Sequence, residues 1–249
     1  ASFRYLHIIR IHHWRHLTEM AQSLRSRAVL RAAKVRHGHS FSASQATLEM
    51  VLQSKPWPNW LRQEMRSNWA GETGAVAIYR GCQSALPHER CDTKRQVLQK
   101  FAEEHVASEE AHLEAMENLV CQAAERSWMP ATSFGWALGY LSTRIRGAHG
   151  MYVTTEAVES FVEEHYGDQI ARLELELQRG ERQPLEAYTA LLEILRGACA
   201  DEVAHKEDAA ARAAGKELQG SGVSGIMDSL QFSAVYWASR VGAAIAKHV

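Results

Sequence analysis

The sequence predicts an all-α fold, a bundle of four long helices with additional short amphipathic helices. Three observations predict it. Ala, Glu, Leu, Arg and Gln dominate and Pro numbers only five, which is the composition of good helix formers. Long Pro-free stretches repeat apolar residues at helical spacing, with Gly and Pro set between them. Carboxylates and imidazoles also recur in an order that four helices explain: a lone Glu and then a Glu-x-x-His, given twice.

The elements follow in order. A first helix is expected over about 59–85, carrying Glu72, with a turn at Pro87 after it. A second, 92–126, carries Glu109 and His112 near its middle, and Pro130 ends it. A short apolar piece, 134–145, precedes a third long helix, 149–178, with Glu159. Gly180 and Pro184 bracket a loop, and a fourth helix runs to about 214 with Glu202 and His205. Glycines over 220–225 set off a last amphipathic helix, 226–246. Phe101, His105, Glu109, His112 and Met116 form one stripe of the second helix, and Tyr152, Thr155, Glu159, Val162, Tyr166 and Ile170 one stripe of the third. Each mixes apolar residues with metal-ligand types.

Residues three apart on a helix lie one turn apart on one face. Glu109 with His112, and Glu202 with His205, can therefore each grip a metal ion, with Glu72 and Glu159 expected to bridge the two ions. With 24 Glu and 13 His, chance alone places a Glu three residues before about one His, so a bare pair says little. The order says more: lone Glu, pair, lone Glu, pair, with gaps of 37 and 43 residues from each lone Glu to its pair. Mixed carboxylate and imidazole donors suit iron or manganese rather than a thiolate-bound metal. A buried carboxylate is costly unless a cation or proton neutralises it. The order also suggests an internal duplication of helix pairs.

Composition narrows the class. Apolar residues make up 46% and the net charge is −1, so the helical body is not a general binder of polyanions and no nucleic-acid partner is expected. Cys82, Cys91, Cys121 and Cys199 form no Cys-x-x-Cys and read as reduced, mostly buried thiols. Residues 1–40 hold eight Arg or Lys and six His but one acid, Glu19, and lead into Ser40, Ser42 and Ser44. Such an Arg-rich, acid-poor stretch reads as a mitochondrial transit peptide over 1–44, ahead of a helical domain at 45–249. A basic tail for nucleic acid or lipid is the competing reading. No run of 18 apolar residues appears, so no spanning helix is expected. The 134–141 segment and the last helix, edged by Arg144, Arg146, Arg240 and Lys247, have the pattern of interfacial helices; packing at the bundle's ends is the alternative.

The words Ala70-Gly71-Glu72-Thr73-Gly74-Ala75 with Ile78-Tyr79, Glu109-Glu110-Ala111-His112-Leu113, Ala157-Val158-Glu159 with His165-Tyr166 and Gln169-Ile170, and Asp201-Glu202-Val203-Ala204-His205 resemble the demethoxyubiquinone hydroxylase family of coenzyme Q (ubiquinone) biosynthesis. The resemblance runs from about Arg62 to the C-terminus. It implies a ferritin-like bundle and a di-iron monooxygenase. The expected reaction hydroxylates a polyprenylated methoxy-benzoquinol with O2, drawing electrons that trace to NADH. It implies Glu72, Glu109, His112, Glu159, Glu202 and His205 as iron ligands, and His165 and Tyr166 as catalytic neighbours in proton or electron transfer. It prefers Glu159 over Glu156 or Glu163, and Glu109 over Glu110. Peripheral attachment to the matrix side of the mitochondrial inner membrane and a lipid-binding helper protein are further expectations from the family. An iron- or peroxide-handling ferritin-like protein without a quinone substrate is the alternative.

The chain departs from the family's pattern at Asn68-Trp69, where an acidic residue and His are usual, and at Thr73, where an aromatic is usual. Its connector over 178–187 is also longer. These changes bear on the groups around the ligands rather than on the ligands.

Overall fold

The computed structural model describes residues 43–120, 122–215 and 222–249. Among them lie six helices and no strand, as the all-α reading requires. They are α1 (Gln45–Leu52), α2 (Asn59–Ala85), α3 (Asp92–Leu119), α4 (Ala131–Gln178), α5 (Leu185–Ala213) and α6 (Gly222–Ala246). Almost all of the expected 1–44 leader lies outside the described residues. Ser44, its last residue, is the N-cap of α1, its side chain accepting a hydrogen bond from the Thr47 N–H.

Three boundaries differ from the sequence reading. α1 was not expected, because eight residues with little periodicity carry no strong helical signal; Leu48 and Val51 anchor it in the core. α3 ends at Leu119 rather than near 126, and a single 3-10 turn, Ala123–Glu125, follows. The apolar piece and the third helix join as α4, but Gly147 at φ 61°, ψ −148° reverses the chain between them. That conformation is open to glycine and closed to most side chains. The two limbs, 131–146 and 148–178, fold back on each other, with the Thr154 hydroxyl donating to Ser142 Oγ at 2.8 Å.

The first limb lies on α2 almost backbone to backbone. A Cβ on Gly139 would fall 1.8 Å from the Ile78 carbonyl oxygen, and one on Gly135 2.2 Å from that of Gly74. The second limb runs antiparallel to α2: Asn68 and Gln169 exchange two amide hydrogen bonds of 2.9 Å, two turns along α2 from where Ala75 and Val76 are buried. A Schellman ending closes α4, with Gly180 at φ 68°, its N–H on the Leu177 carbonyl and the Glu181 N–H on that of Glu176. The long connector then needs only residues 179–184 before α5.

α6 lies antiparallel to the first limb. Its Asp228 takes hydrogen bonds from Arg146 and His149, and at its other end Ala246 packs with Ala70, Ala131 and Met129. Two apolar clusters fill the bundle. One holds Leu61, Met65, Met116, Leu173 and Leu191; the other holds Ile78, Leu98, Phe101, Met151 and Val158. The polar residues of the candidate site lie between them along α2, α3, α4 and α5.

Candidate metal centre

All six sequence-derived ligand residues converge. Two groups have donor atoms within 4.8 Å of one another: Glu72, Glu109, His112 and Glu202, and Glu109, Glu159, Glu202 and His205. Glu109 and Glu202 belong to both. The sequence reading had Glu72 and Glu159 as the bridging pair, whereas the two donor groups share Glu109 and Glu202. The reason is geometric: α3 and α5 each turn one Glu inward between the two imidazoles. His112 Nδ1 lies 3.6 Å from Glu109 Oε2 and 2.9 Å from Glu202 Oε1, and His205 Nδ1 lies 3.0 Å from Glu109 Oε1 and 3.4 Å from Glu202 Oε2. Glu72 and Glu159 each attend one group only. Of the rejected alternatives, Glu110 pairs with Arg80 at the surface and Glu163 with Lys206.

The donors are deeply buried. His112 is fully enclosed, and His205, the most open of the six, keeps 13% of its side chain exposed. Neither oxygen of Glu109 or of Glu202 receives a well-formed hydrogen bond. Four carboxylates in a closed space, two of them with unsatisfied inward oxygens, fit a pair of divalent cations, which would supply the missing positive charge.

Protons supply it otherwise. Burial, then the charge of Glu202, pushes Glu72 up to about 8, and burial with Glu202 and Glu109 pushes Glu159 well above the carboxylate range. Burial opposes ionisation of Glu109 and Glu202 too, but the two facing imidazoles outweigh it and hold both low. Burial would lower both histidines; Asp201, Glu109 and Glu202 overcome it for His112, and Glu109 with Glu202 raises His205 to about 10.

Two tyrosines brace the lone glutamates reciprocally. Tyr166 of α4 donates a short hydrogen bond to Glu72 of α2, and Tyr79 of α2 approaches Glu159 of α4 at 3.5 Å. Each Glu sits seven residues before the Tyr on its own helix, so two antiparallel helices with Glu-x6-Tyr clamp each other's carboxylates. This extends the twofold repeat beyond the ligands. Tyr166 thus reaches the centre as the sequence suggested. His165 points elsewhere: it stacks on Phe161 and its Nε2 lies 3.6 Å from Glu64, which Lys247 holds at 2.7 Å. Burial lowers the His165 pKa to about 3.

Other neighbours escaped the sequence reading as site residues. Asp201 Oδ2 lies 3.3 Å from His112 Nε2, the arrangement that fixes an imidazole for metal binding through its other nitrogen. The His105 ring centroid lies 4.6 Å from that of His205 and 5.3 Å from that of Tyr79, tilted against both. The signals were present, since Asp201 adjoins Glu202 and His105 sits one turn before Glu109. At the departing positions, Asn68 forms the neutral amide pair with Gln169, Trp69 stacks under Arg126 at 5.4 Å, and Thr73 donates to the Trp69 carbonyl. The described cysteines are free thiols; Cys82 is buried as expected, but Cys91 is exposed.

A family model described as ubiquinone biosynthesis protein COQ7 matches residues 59–238. The chain is similar to a 3-demethoxyubiquinol 3-hydroxylase of Rhodospirillum rubrum, at 31% identity over 136 residues, which cover 53% of this chain and 61% of that protein. It is also similar to a mitochondrial NADPH-dependent 3-demethoxyubiquinone 3-hydroxylase of Caenorhabditis elegans, at 27% identity over 214 residues, 83% of this chain and 91% of that protein.

Proposed function

The chain belongs to the COQ7 ubiquinone biosynthesis family, and on that premise we propose that it hydroxylates the ring of a polyprenylated demethoxyubiquinol, using O2. The observation that carries the reading is the pair of buried donor groups joined through Glu109 and Glu202. Glu72, Glu109 and Glu202 with His112 would hold one iron, and Glu109, Glu202 and Glu159 with His205 the other. Two irons there would supply the activation of O2. The chain's own residues do the rest. Tyr166 and Tyr79 fix the two outer carboxylates, Asp201 orients His112, and the apolar clusters on either side exclude water from the reacting ring. Tyr166 is placed to pass a proton to or from Glu72. His165 adjoins it in sequence, with ring centroids 6.5 Å apart, and is proposed as its proton- or electron-transfer neighbour.

A tailed quinol lives in a membrane, and no helix among the described residues is long and apolar enough to cross one. The first limb of α4 exposes Phe134, Leu141 and Ile145, the last at 75%, while α6 exposes Ile226, Leu230, Val241 and Trp237 at 60%. The two helices lie side by side, so these residues form one apolar face suited to lying on a bilayer. Peripheral attachment, a mitochondrial location behind a 1–44 leader, the matrix side of the inner membrane and a lipid-binding helper protein belong to the same proposal; the nematode relative's name supports the location.

The test is iron per chain together with turnover of a short-tailed demethoxyquinol under O2, with NADH and NADPH compared as reductants. About two irons per chain and a hydroxylated ring are expected. Peroxide consumption without quinol hydroxylation would replace this reading with that of a ferritin-like scavenger.

A further inference from the structure

The twofold repeat holds at the ligands and at the two tyrosines, and it fails around them. On α5 Asp201 precedes Glu202, but on α3 the residue before Glu109 is Ser108. Four residues before Glu72 on α2 stands Asn68, and four before Glu159 on α4 stands Thr155. Both breaks fall on the same donor group.

The group of Glu72 and His112 is held from outside as well as within. The His112 Nε2–H donates to Asp201 Oδ2 at 3.3 Å, which leaves Nδ1 for a metal ion. Glu72 Oε2 lies 3.8 Å from that Nδ1, and Tyr166 donates to Glu72 Oε1. One turn before Glu72 and one turn after Tyr166, the Asn68 and Gln169 amides lock the two helices together.

The group of Glu159 and His205 is slacker at each of these points. Among the described residues no carboxylate besides Glu109 and Glu202 pairs with His205, so Glu159 stands further from its imidazole than Glu72 does from His112. The neighbouring His105 does not replace Asp201: its Nδ1–H goes to the Phe101 carbonyl at 2.9 Å, and its Nε2 receives no hydrogen bond. Tyr79 reaches Glu159 only at 3.5 Å. Thr155, 1% exposed and facing the Tyr79 phenol, makes no well-formed hydrogen bond through Oγ1. A hydrogen bond to the far nitrogen of a ligand imidazole fixes the ring and raises its basicity, and a side chain already held in place loses less freedom when an ion binds.

Resting on the di-iron hydroxylase reading, we propose that the two metal positions are unequal. The ion at His112 fills first and is held tightly, with Asp201 as its positioning residue. The ion at His205 is the weaker and exchangeable one, and its occupancy decides whether the centre is complete.

The test titrates the metal-free full chain with ferrous iron under nitrogen, by calorimetry, beside Glu72→Ala, Glu159→Ala and Asp201→Ser. In the two glutamate variants one position remains, so repulsion between two cations plays no part. Glu159→Ala, which keeps the His112 position, should bind its ion roughly 10- to 100-fold more tightly than Glu72→Ala, which keeps the His205 position. Asp201→Ser gives α5 the residue that α3 carries at this place. It should weaken the tighter of the parent's two binding steps by a similar factor and bring the two steps together. Asp201 keeps 25% of its side chain exposed, so this variant decides the matter even where loss of a buried glutamate unfolds the protein. Equal affinities in the two glutamate variants, or the reverse order, overturn the proposal, and so does an Asp201→Ser titration that matches the parent's. A parent chain that binds two unequal irons yet hydroxylates no quinol supports the inequality and overturns the hydroxylase reading. One that takes up no iron overturns both.

Discussion

At the scale of single residues, the shared position of Glu109 and Glu202 separates two kinds of ligand. Removing a shared carboxylate damages both donor groups; removing Glu72 or Glu159 damages one. Glu109→Ala and Glu202→Ala should therefore lose nearly all bound iron, while Glu72→Ala and Glu159→Ala should keep roughly one iron per chain, all with helicity unchanged; iron assay and circular dichroism decide it. Equal losses in all four would deny the shared role. The same cluster sets a pH dependence. In the metal-free protein Glu72 titrates at about 8 rather than 4.5 and His205 at about 10 rather than 6.5. Both bind protons more tightly folded than unfolded, so their contribution to stability is complete below 4.5 and 6.5 respectively and is lost as pH rises through 8 and 10. Metal must displace those protons, so its affinity rises over the same range. The rise in melting temperature on adding ferrous iron under nitrogen should be larger at pH 8 than at pH 6; a smaller rise at pH 8 would contradict this assignment.

At the scale of elements, the contact between α2 and α4 positions two of the six candidate ligands, Glu72 and Glu159. Its close approach depends on glycines that a side chain would push apart. Gly139→Ala places a Cβ 1.8 Å from the Ile78 carbonyl, where backbone rather than a flexible side chain must give way. A loss of ~2–3 kcal/mol in chemical denaturation is expected. The amide pair locks the other end of the same contact. Asn68→Ala leaves the buried Gln169 amide without its partners and should cost about 1–3 kcal/mol. An unchanged denaturation midpoint would show that water replaces the lost bonds. Both predictions concern register: Tyr166 meets Glu72, and Tyr79 meets Glu159, only while the two antiparallel helices keep their alignment.

At the scale of the described helices, a polar site is enclosed between two apolar clusters, while α6 and the first limb of α4 display apolar side chains. Enclosure follows from the two apolar clusters, and display from the first limb of α4 and α6, whose inward faces use Gly, Ala and Thr on one helix and Val235 and Ala246 on the other. Replacing Ile226 and Trp237 together by Glu should abolish sedimentation with phospholipid vesicles while leaving iron content intact. If the doubly substituted protein still binds vesicles, the exposed apolar face serves another contact.

The sequence by itself determined the four helices that carry the candidate ligands, the six candidates themselves and the repeat that orders them, because helical periodicity and the Glu-x-x-His spacing are local properties of a chain. It also marked Gly180 and Pro184 as the ends that shape the α4–α5 connector. Only the tertiary structure decided which glutamates are shared, since that depends on how far α3 and α5 stand from each other across the bundle, a distance no spacing encodes. The same holds for the crossed Tyr79 and Tyr166 braces, for His165 turning to Glu64, and for the reversal at Gly147 that lays an apolar limb beside α6. Each joins residues tens of positions apart, and their meeting is set by the packing of whole helix faces rather than by any neighbour along the chain.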